Sequence, residues 1–196
     1  PLIKIFAGAE RSSETYKVLI YLHHIVFDNV GLEIIKGEIA AYFNQQQEAL
    51  TKPKQYREFI ATLANKSTEQ ESLDFFREQL ADIEETTAPF GLLDLHGNGH
   101  NLDIVQFDLP DSLTRSIHAI SSKLSVSPAA FFHLAWAAVV ASACNKKSVV
   151  FGTVMSGRLQ GTESMDNVLG VFINTLPIRI TLTDVALKVQ IEQVNK

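Results

Sequence analysis

Between Ser127 and Asn145 the chain carries a stretch that is apolar nearly all round a helix, with Phe131, Phe132, Leu134, Trp136, Val139 and Val140 spread over its circumference. A helix with no polar side to offer water predicts burial between a sheet and other helices, so this chain must build layers around it. Ser127-Pro128 marks its start, a capping hydroxyl followed by a residue tolerated at the first helical position, and the pattern runs to about Cys144. Lys146-Lys147 then places positive charge where the helix dipole favours it.

The layers are legible on either side. Leu2 to Phe6 and Tyr16 to Phe27 read as two strands around the polar connection Gly8-Ala9-Glu10-Arg11-Ser12-Ser13. From Val30 onward, Leu32, Ile35, Ile39, Tyr42 and Phe43 recur at helical spacing, which predicts a core-packing helix to about Leu50. Two more helices fit Gln55 to Leu63 and Glu69 to Leu80, the second with Leu73, Phe76 and Leu80 on one side to cover a sheet. Between Ala81 and Asp103 the periodicity collapses into Thr86-Thr87-Ala88-Pro89 and His96-Gly97-Asn98-Gly99-His100, a composition suited to a connection between lobes. The spacing of His96 and His100 suits a metal only on a helix, which the Gly-Asn-Gly between them disfavours, and no thiol or carboxylate cluster accompanies them. Beyond, Ile104, Val105, Phe107 and Leu109 alternate as in a strand, and Pro110-Asp111-Ser112 opens a helix over Leu113 to Leu124. His118 is expected on a helix surface and His133 packed or bonded in the core.

Composition narrows the class. With 196 residues there is room for one or two domains, and 46% apolar with 20% charged residues describes a globular protein. Acidic residues outnumber basic ones by 22 to 17, and the net charge of -5 gives no field for nucleic acid. The single Cys144 cannot form an internal disulfide, and neither a signal segment nor a transmembrane-length apolar run is present, so a cytoplasmic protein without membrane contact is expected.

One segment looks like chemistry: Leu22-His23-His24-Ile25-Val26-Phe27-Asp28-Asn29. Tyr16 to Tyr21 is rich in β-branched and aromatic residues, which predicts that the histidines end a buried strand. Successive strand side chains face opposite ways, so one imidazole is the reagent and the other packs or orients.

That pattern resembles the H-H-x-x-x-D-G signature of condensation domains from non-ribosomal peptide synthetases, the multidomain assemblers of secondary metabolites. Val150 to Arg158 is similar to the family's strand and Gly-Arg turn, and Gly170-Val171-Phe172-Ile173-Asn174-Thr175-Leu176-Pro177-Ile178-Arg179 to its later G-x-F-x-N-T-x-P-x-R motif. Weaker echoes lie at Gln55-Tyr56-Arg57-Glu58-Phe59, Phe75 to Leu80 and Ala135-Trp136-Ala137. The resemblance implies an α+β fold of the chloramphenicol acetyltransferase type: residues 1–85 in the N-lobe with the double-histidine motif, 86–102 as inter-lobe linker, and 103–196 in the C-lobe. It further implies a complete domain more than twice this length, so the chain, opening on Pro1 and stopping within a helix-like stretch, reads as part of one.

The implied reaction is amide formation between substrates on the phosphopantetheine arms of upstream and downstream carrier proteins, with an adenylation domain nearby and no cofactor bound by the domain itself. Carried over by position, the catalytic imidazole is His24. An imidazole's ordinary pKa of about 6.5 leaves it able to take the proton that the attacking amine must lose, or else to orient the amine and steady the polar intermediate; the sequence is compatible with either role. His23 is the structural partner. Asp28 pairs with an arginine rather than with the imidazole, and Arg158 in the Gly-Arg turn is the candidate. Asn174 belongs to the motif without a stated role. Activity is expected in the intact parent and not in these residues alone, which would pair exposed edges with a second copy.

The departure from the family pattern is Asn29, where the signature has glycine. If that position needs left-handed backbone, Asn tolerates it better than other non-glycine residues but crowds the channel, and Asn29→Gly should speed the parent several-fold. Alternatives are an epimerisation domain, a stand-alone acyltransferase using coenzyme A thioesters, and a non-catalytic platform that only docks carrier proteins. The Phe172-Ile173-Asn174-Thr175 run favours condensation over epimerisation, and the retained histidines disfavour heterocyclisation.

Overall fold

The computed structural model of the chain describes residues 1–10, 15–65, 69–93, 103–159 and 165–195. Their contacts form two compact units, one of Pro1–Asp74 with Val154–Leu176, the other of Phe75–Thr153 with Pro177–Lys196. The division after Asp74 is one of contacts within the chain, and the part of the expected 86–102 linker with His96 and His100 lies outside the described residues.

The first unit opens with a hairpin. β1 (Ile3–Ala9) and β2 (Tyr16–Leu22) pair antiparallel with Ile3 opposite Leu22 and Ala9 opposite Tyr16. The expectation of a buried strand fails here: Ile3 and Ile5 on one face and Phe6 and Tyr21 on the other are all more than half exposed. A two-stranded sheet buries a face only when another element covers it, and no further described strand pairs with this one.

α1 (Asn29–Phe43) also differs from its expected course. It stops at Phe43 rather than Leu50 because Gln45 takes left-handed backbone, with φ of 57°, before a short 3₁₀ turn over Gln47–Ala49. Only its Gly31 is buried, while Val30, Ile39, Tyr42 and Phe43 are exposed, so the apolar face read as core does not pack within the described residues. α2 (Tyr56–Asn65) supplies this unit's core: Phe59 is buried with Met165, Val168 and Phe172, and Tyr56 packs on the cluster.

α3 (Glu69–Leu80) carries the chain into the second unit, with the ends its periodicity predicts. α4 (Asp111–Leu124), α5 (Pro128–Cys144) and α6 (Leu187–Val194) lie there, together with the first part of β3 (Ser148–Ser156) and the last part of β4 (Ile173–Thr181), the rest of both strands being counted in the first unit. β3 and β4 pair with each other. α5 begins where the Ser-Pro pair places it, with Ser127 Oγ accepting from the Ala129 N–H at 3.2 Å, and ends at a left-handed Asn145. Its Ala130, Leu134, Ala137, Val140 and Ala141 form a core with Val149, Ile180 and Ile191. The prediction of burial on every side is corrected: Phe132, Trp136 and Val139 are each at least half exposed.

The alternating segment Ile104 to Leu109 forms no strand, and Ile104, Val105 and Phe107 are exposed. Alternation makes a strand only where a neighbour takes its backbone hydrogen bonds. His118 is exposed on α4, and His133 is half-buried with Nε2 2.9 Å from Thr153 Oγ1. After α3 the chain is pinned to the second unit by Arg179, which grips both carboxylate oxygens of Asp82 and donates to the Gln79 carbonyl at 3.1 Å. Val150 N–H adds a bond to Thr87 Oγ1 at 2.9 Å. Among the described residues no single helix is long and apolar enough to cross a membrane.

Candidate functional site

β2 ends at Leu22, so the histidines stand in the turn that follows rather than in the strand. The opposite-faces argument therefore does not apply, and the two rings differ for another reason. His23 is exposed but tied to neighbouring backbone: its N–H donates to the Leu2 carbonyl at 2.9 Å, its carbonyl accepts from Val26 N–H at 3.1 Å, and its Nδ1 accepts from Ile25 N–H at 3.1 Å. An accepting Nδ1 leaves the proton of the neutral ring on Nε2. His24, next in the turn, is exposed, with its ring stacked near Phe27 at a centroid distance of 5.7 Å.

Four residues on, Asp28 caps α1. Its Oδ1 accepts from the Gly31 N–H at 2.9 Å and from Arg158 Nη2 at 2.7 Å, and its Oδ2 accepts from the Phe172 N–H at 3.2 Å. The side chain is 2% exposed and that of Arg158 5%. Burial pushes the Asp28 carboxyl upward, but the Arg158 hydrogen bond, the two backbone N–H groups and the guanidinium charge together outweigh it and hold the group below the usual carboxylate range.

The structure thus brings Asp28 and Arg158 together across the chain. Arg158 Nη1 donates to the carbonyls of Met165 and Val168 at 2.8 and 2.9 Å, and its Cζ lies 4.0 Å from the Phe172 ring centre. A guanidinium is suited to this: its planar fork spreads donors over three acceptors while its face stacks on an aromatic. Arg158 Nε is buried and meets no acceptor among the described residues.

Two motif residues stand apart from that cluster. Asn29 is the exposed first residue of α1 and its φ is not positive, so the left-handed backbone considered for it is corrected to helix. The N-cap position taken by Asp28 imposes this, because the residue after a cap already has helical angles. Asn174 is exposed on β4, its Oδ1 accepting from the adjacent Thr175 N–H at 2.9 Å.

Sequence reading missed the roles of Tyr56, Phe59, Gly170 and Phe172. Tyr56 Oη donates to the Val171 carbonyl at 2.5 Å, and its ring lies so close to Gly170 that a Cβ there would stand 2.1 Å from Tyr56 Cδ2. Phe172 makes ring contacts with Tyr56 and Phe59 at 5.2 and 4.6 Å. The signal available was the Gln55 to Phe59 echo and the aromatic inside the Gly170 to Arg179 motif. Chemically, the arrangement is two exposed imidazoles on a turn, one of them with its Nδ1 engaged by backbone, followed by a buried ion pair. Among the described residues no group of three or more His, Cys, Asp or Glu is placed to hold a metal ion.

The family model described as the condensation domain matches residues 2–196, and the chain belongs to that family. It is similar to malpibaldin synthetase of Mortierella alpina, 35% identical over 195 residues that cover 100% of this chain and 4% of that protein. It is similar also to bacitracin synthase 3 of Bacillus licheniformis, at 27% identity over 87% of this chain and 3% of the relative. The chain therefore spans only a few per cent of the length of these relatives. Among solved structures, the epimerization domain from the third module of tyrocidine synthetase B aligns with a TM-score of 0.77 and 19% identity, covering 100% of this chain and 46% of that one. The first condensation domain of the CDA synthetase aligns at 0.67 and 16%, covering 98% and 44%. These likenesses establish the expected α+β fold.

Proposed function

We propose that this chain is part of a peptide synthetase's condensation domain that joins two carrier-bound substrates through an amide, with His24 as the group that meets the reacting amine. The observation that carries the reading is the contrast within the motif: both imidazoles are exposed, but His23 has its Nδ1 occupied by the Ile25 N–H, His24 stands on the turn with its ring near Phe27, and Asp28 is sealed against Arg158. In the reaction the amine nitrogen attacks the thioester carbonyl carbon, a C–N bond forms, the nitrogen gives up a proton, and the C–S bond breaks to release the upstream arm's thiol. His24 orients the amine, accepts that proton and passes it to the departing sulfur, which regenerates the neutral imidazole. The substrates arrive on phosphopantetheine arms of upstream and downstream carrier proteins, an adenylation domain lies beside the domain in a cytoplasmic parent, and the domain itself binds no cofactor. These residues alone form no amide. Asn29 lends the docking-platform reading little weight, since it sits in helix and needs no glycine backbone.

Replacing His24 with Ala in the parent synthetase tests the proposal. Single-turnover amide formation should fall by about 10²–10⁴-fold, while the melting temperature stays within about 2 °C, because the ring is exposed and surface changes shift stability by only about 0.5 kcal/mol. An unchanged rate would refute the role.

A further inference from the structure

The Val171–Phe172 peptide unit is held from both ends by side chains distant in sequence. Its carbonyl accepts the Tyr56 hydroxyl at 2.5 Å, and its N–H donates to Asp28 Oδ2 at 3.2 Å. In a trans peptide these groups point in opposite directions, so Tyr56 and Asp28 sit on either side of one rigid plane. A hydroxyl donating to the carbonyl draws electron density away from the nitrogen and makes the N–H a stronger donor, so the two bonds reinforce each other. We propose that Tyr56 is a positioning residue: through this peptide it holds the Asp28 carboxylate, and through Asp28 the start of α1 and the His24 turn.

Three further observations fit that role. The Tyr56 ring is set against Gly170, where any side chain would collide, so the tyrosine reaches the carbonyl only because residue 170 is glycine. Its ring meets the Phe172 ring edge-on at 84°, fixing the residue whose N–H is used. The Phe172 carbonyl is in turn bound by the Gly157 N–H at 2.7 Å, next to Arg158, so the segment leading into β4 is held at the following peptide as well. The charged group facing Asp28 among the described residues is Arg158, whose three donations to the cluster do not involve Tyr56.

The test is Tyr56→Phe, which removes the hydroxyl and keeps the ring. In this chain, urea unfolding of Tyr56→Phe, Asp28→Asn and the double variant forms a cycle. We expect Tyr56→Phe to raise the unfolding constant by roughly fivefold with Asp28 present, the worth of one net hydrogen bond, and by less than twofold in the Asp28→Asn background. Equal effects in the two backgrounds would overturn the coupling. Should Asp28→Asn not fold, amide hydrogen exchange decides: Tyr56→Phe should speed exchange of the Phe172 N–H, and unchanged protection would overturn it.

The link to His24 rests on the proposed amide-forming reading and is tested in the parent. Tyr56→Phe should lower kcat several-fold with KM for the carrier substrate unchanged, and Tyr56→Leu should lower it further. An unchanged kcat in an active parent would overturn the positioning role. A parent that forms no amide would refute the function instead, and the cycle would still decide the coupling.

Discussion

Arg158 and Asp28 are separated by 130 residues in sequence and lie 2.7 Å apart, each almost wholly shielded from water. Breaking such a pair strands a buried charge, which typically costs about 3–5 kcal/mol. Arg158→Met should therefore lower stability by about that amount, measured by urea unfolding. Asp28→Asn should cost somewhat less, because the amide oxygen still accepts from one backbone N–H. The double variant should cost less than the sum, since neither charge is left alone.

The acid limb of stability should carry the same signature. The folded Asp28 carboxyl titrates below its unfolded value, so between the two the unfolded chain binds more protons and stability rises with pH. Its contribution is complete above the unfolded carboxylate pKa of about 3.9 and is lost as pH falls through the lower, folded value. Asp82 and Glu85 are lowered too, by hydrogen bonds from Arg179 and Lys146, so they also add to the acid dependence. The stability difference between the wild type and Asp28→Asn isolates the buried group, and it should shrink toward zero below that window.

Asn29→Gly should not accelerate the parent. The residue already has helical backbone, so glycine relieves no strain and costs up to about 1 kcal/mol of helix stability. A slightly lower melting temperature with an unchanged single-turnover rate is the expected outcome, and a several-fold gain in rate would restore the crowding argument.

Gly170→Ala should be among the most damaging single-methyl changes in the first unit. The new Cβ would fall 2.1 Å from a Tyr56 ring carbon, and either the ring or the backbone must move. A loss of about 1–3 kcal/mol is expected for such overpacking, with partial recovery when Tyr56 is also changed to Ala. Both are read from thermal unfolding.

What the letters revealed and what they hid follows a physical line. The ends of α3 and α5 were readable because local rules govern them, as with Ser127-Pro128 and the left-handed Asn145. The Ile104 to Leu109 alternation misled because a strand depends on a partner that its own residues do not specify. The burial expected for β2 and α1 failed for the same reason. In the site, the Asp28–Arg158 pair could be named only from the family pattern, since nothing local to either residue points across the chain. The Phe172 N–H was out of reach altogether: every residue but proline has one, and no side-chain letter announces that it serves a carboxylate.

Asp28 does two jobs with one carboxylate, starting α1 through Gly31 and anchoring to Arg158, and so the spacing from His24 to Asp28 works as a ruler. One end of it is bolted down. Adding or deleting a single residue in between leaves the bolt in place and shifts the imidazole by up to one Cα step, about 3.8 Å, more than a hydrogen bond can stretch. The motif is thus a length standard as much as a set of reagents, and variants of altered loop length should fail even when every one of its side chains is retained.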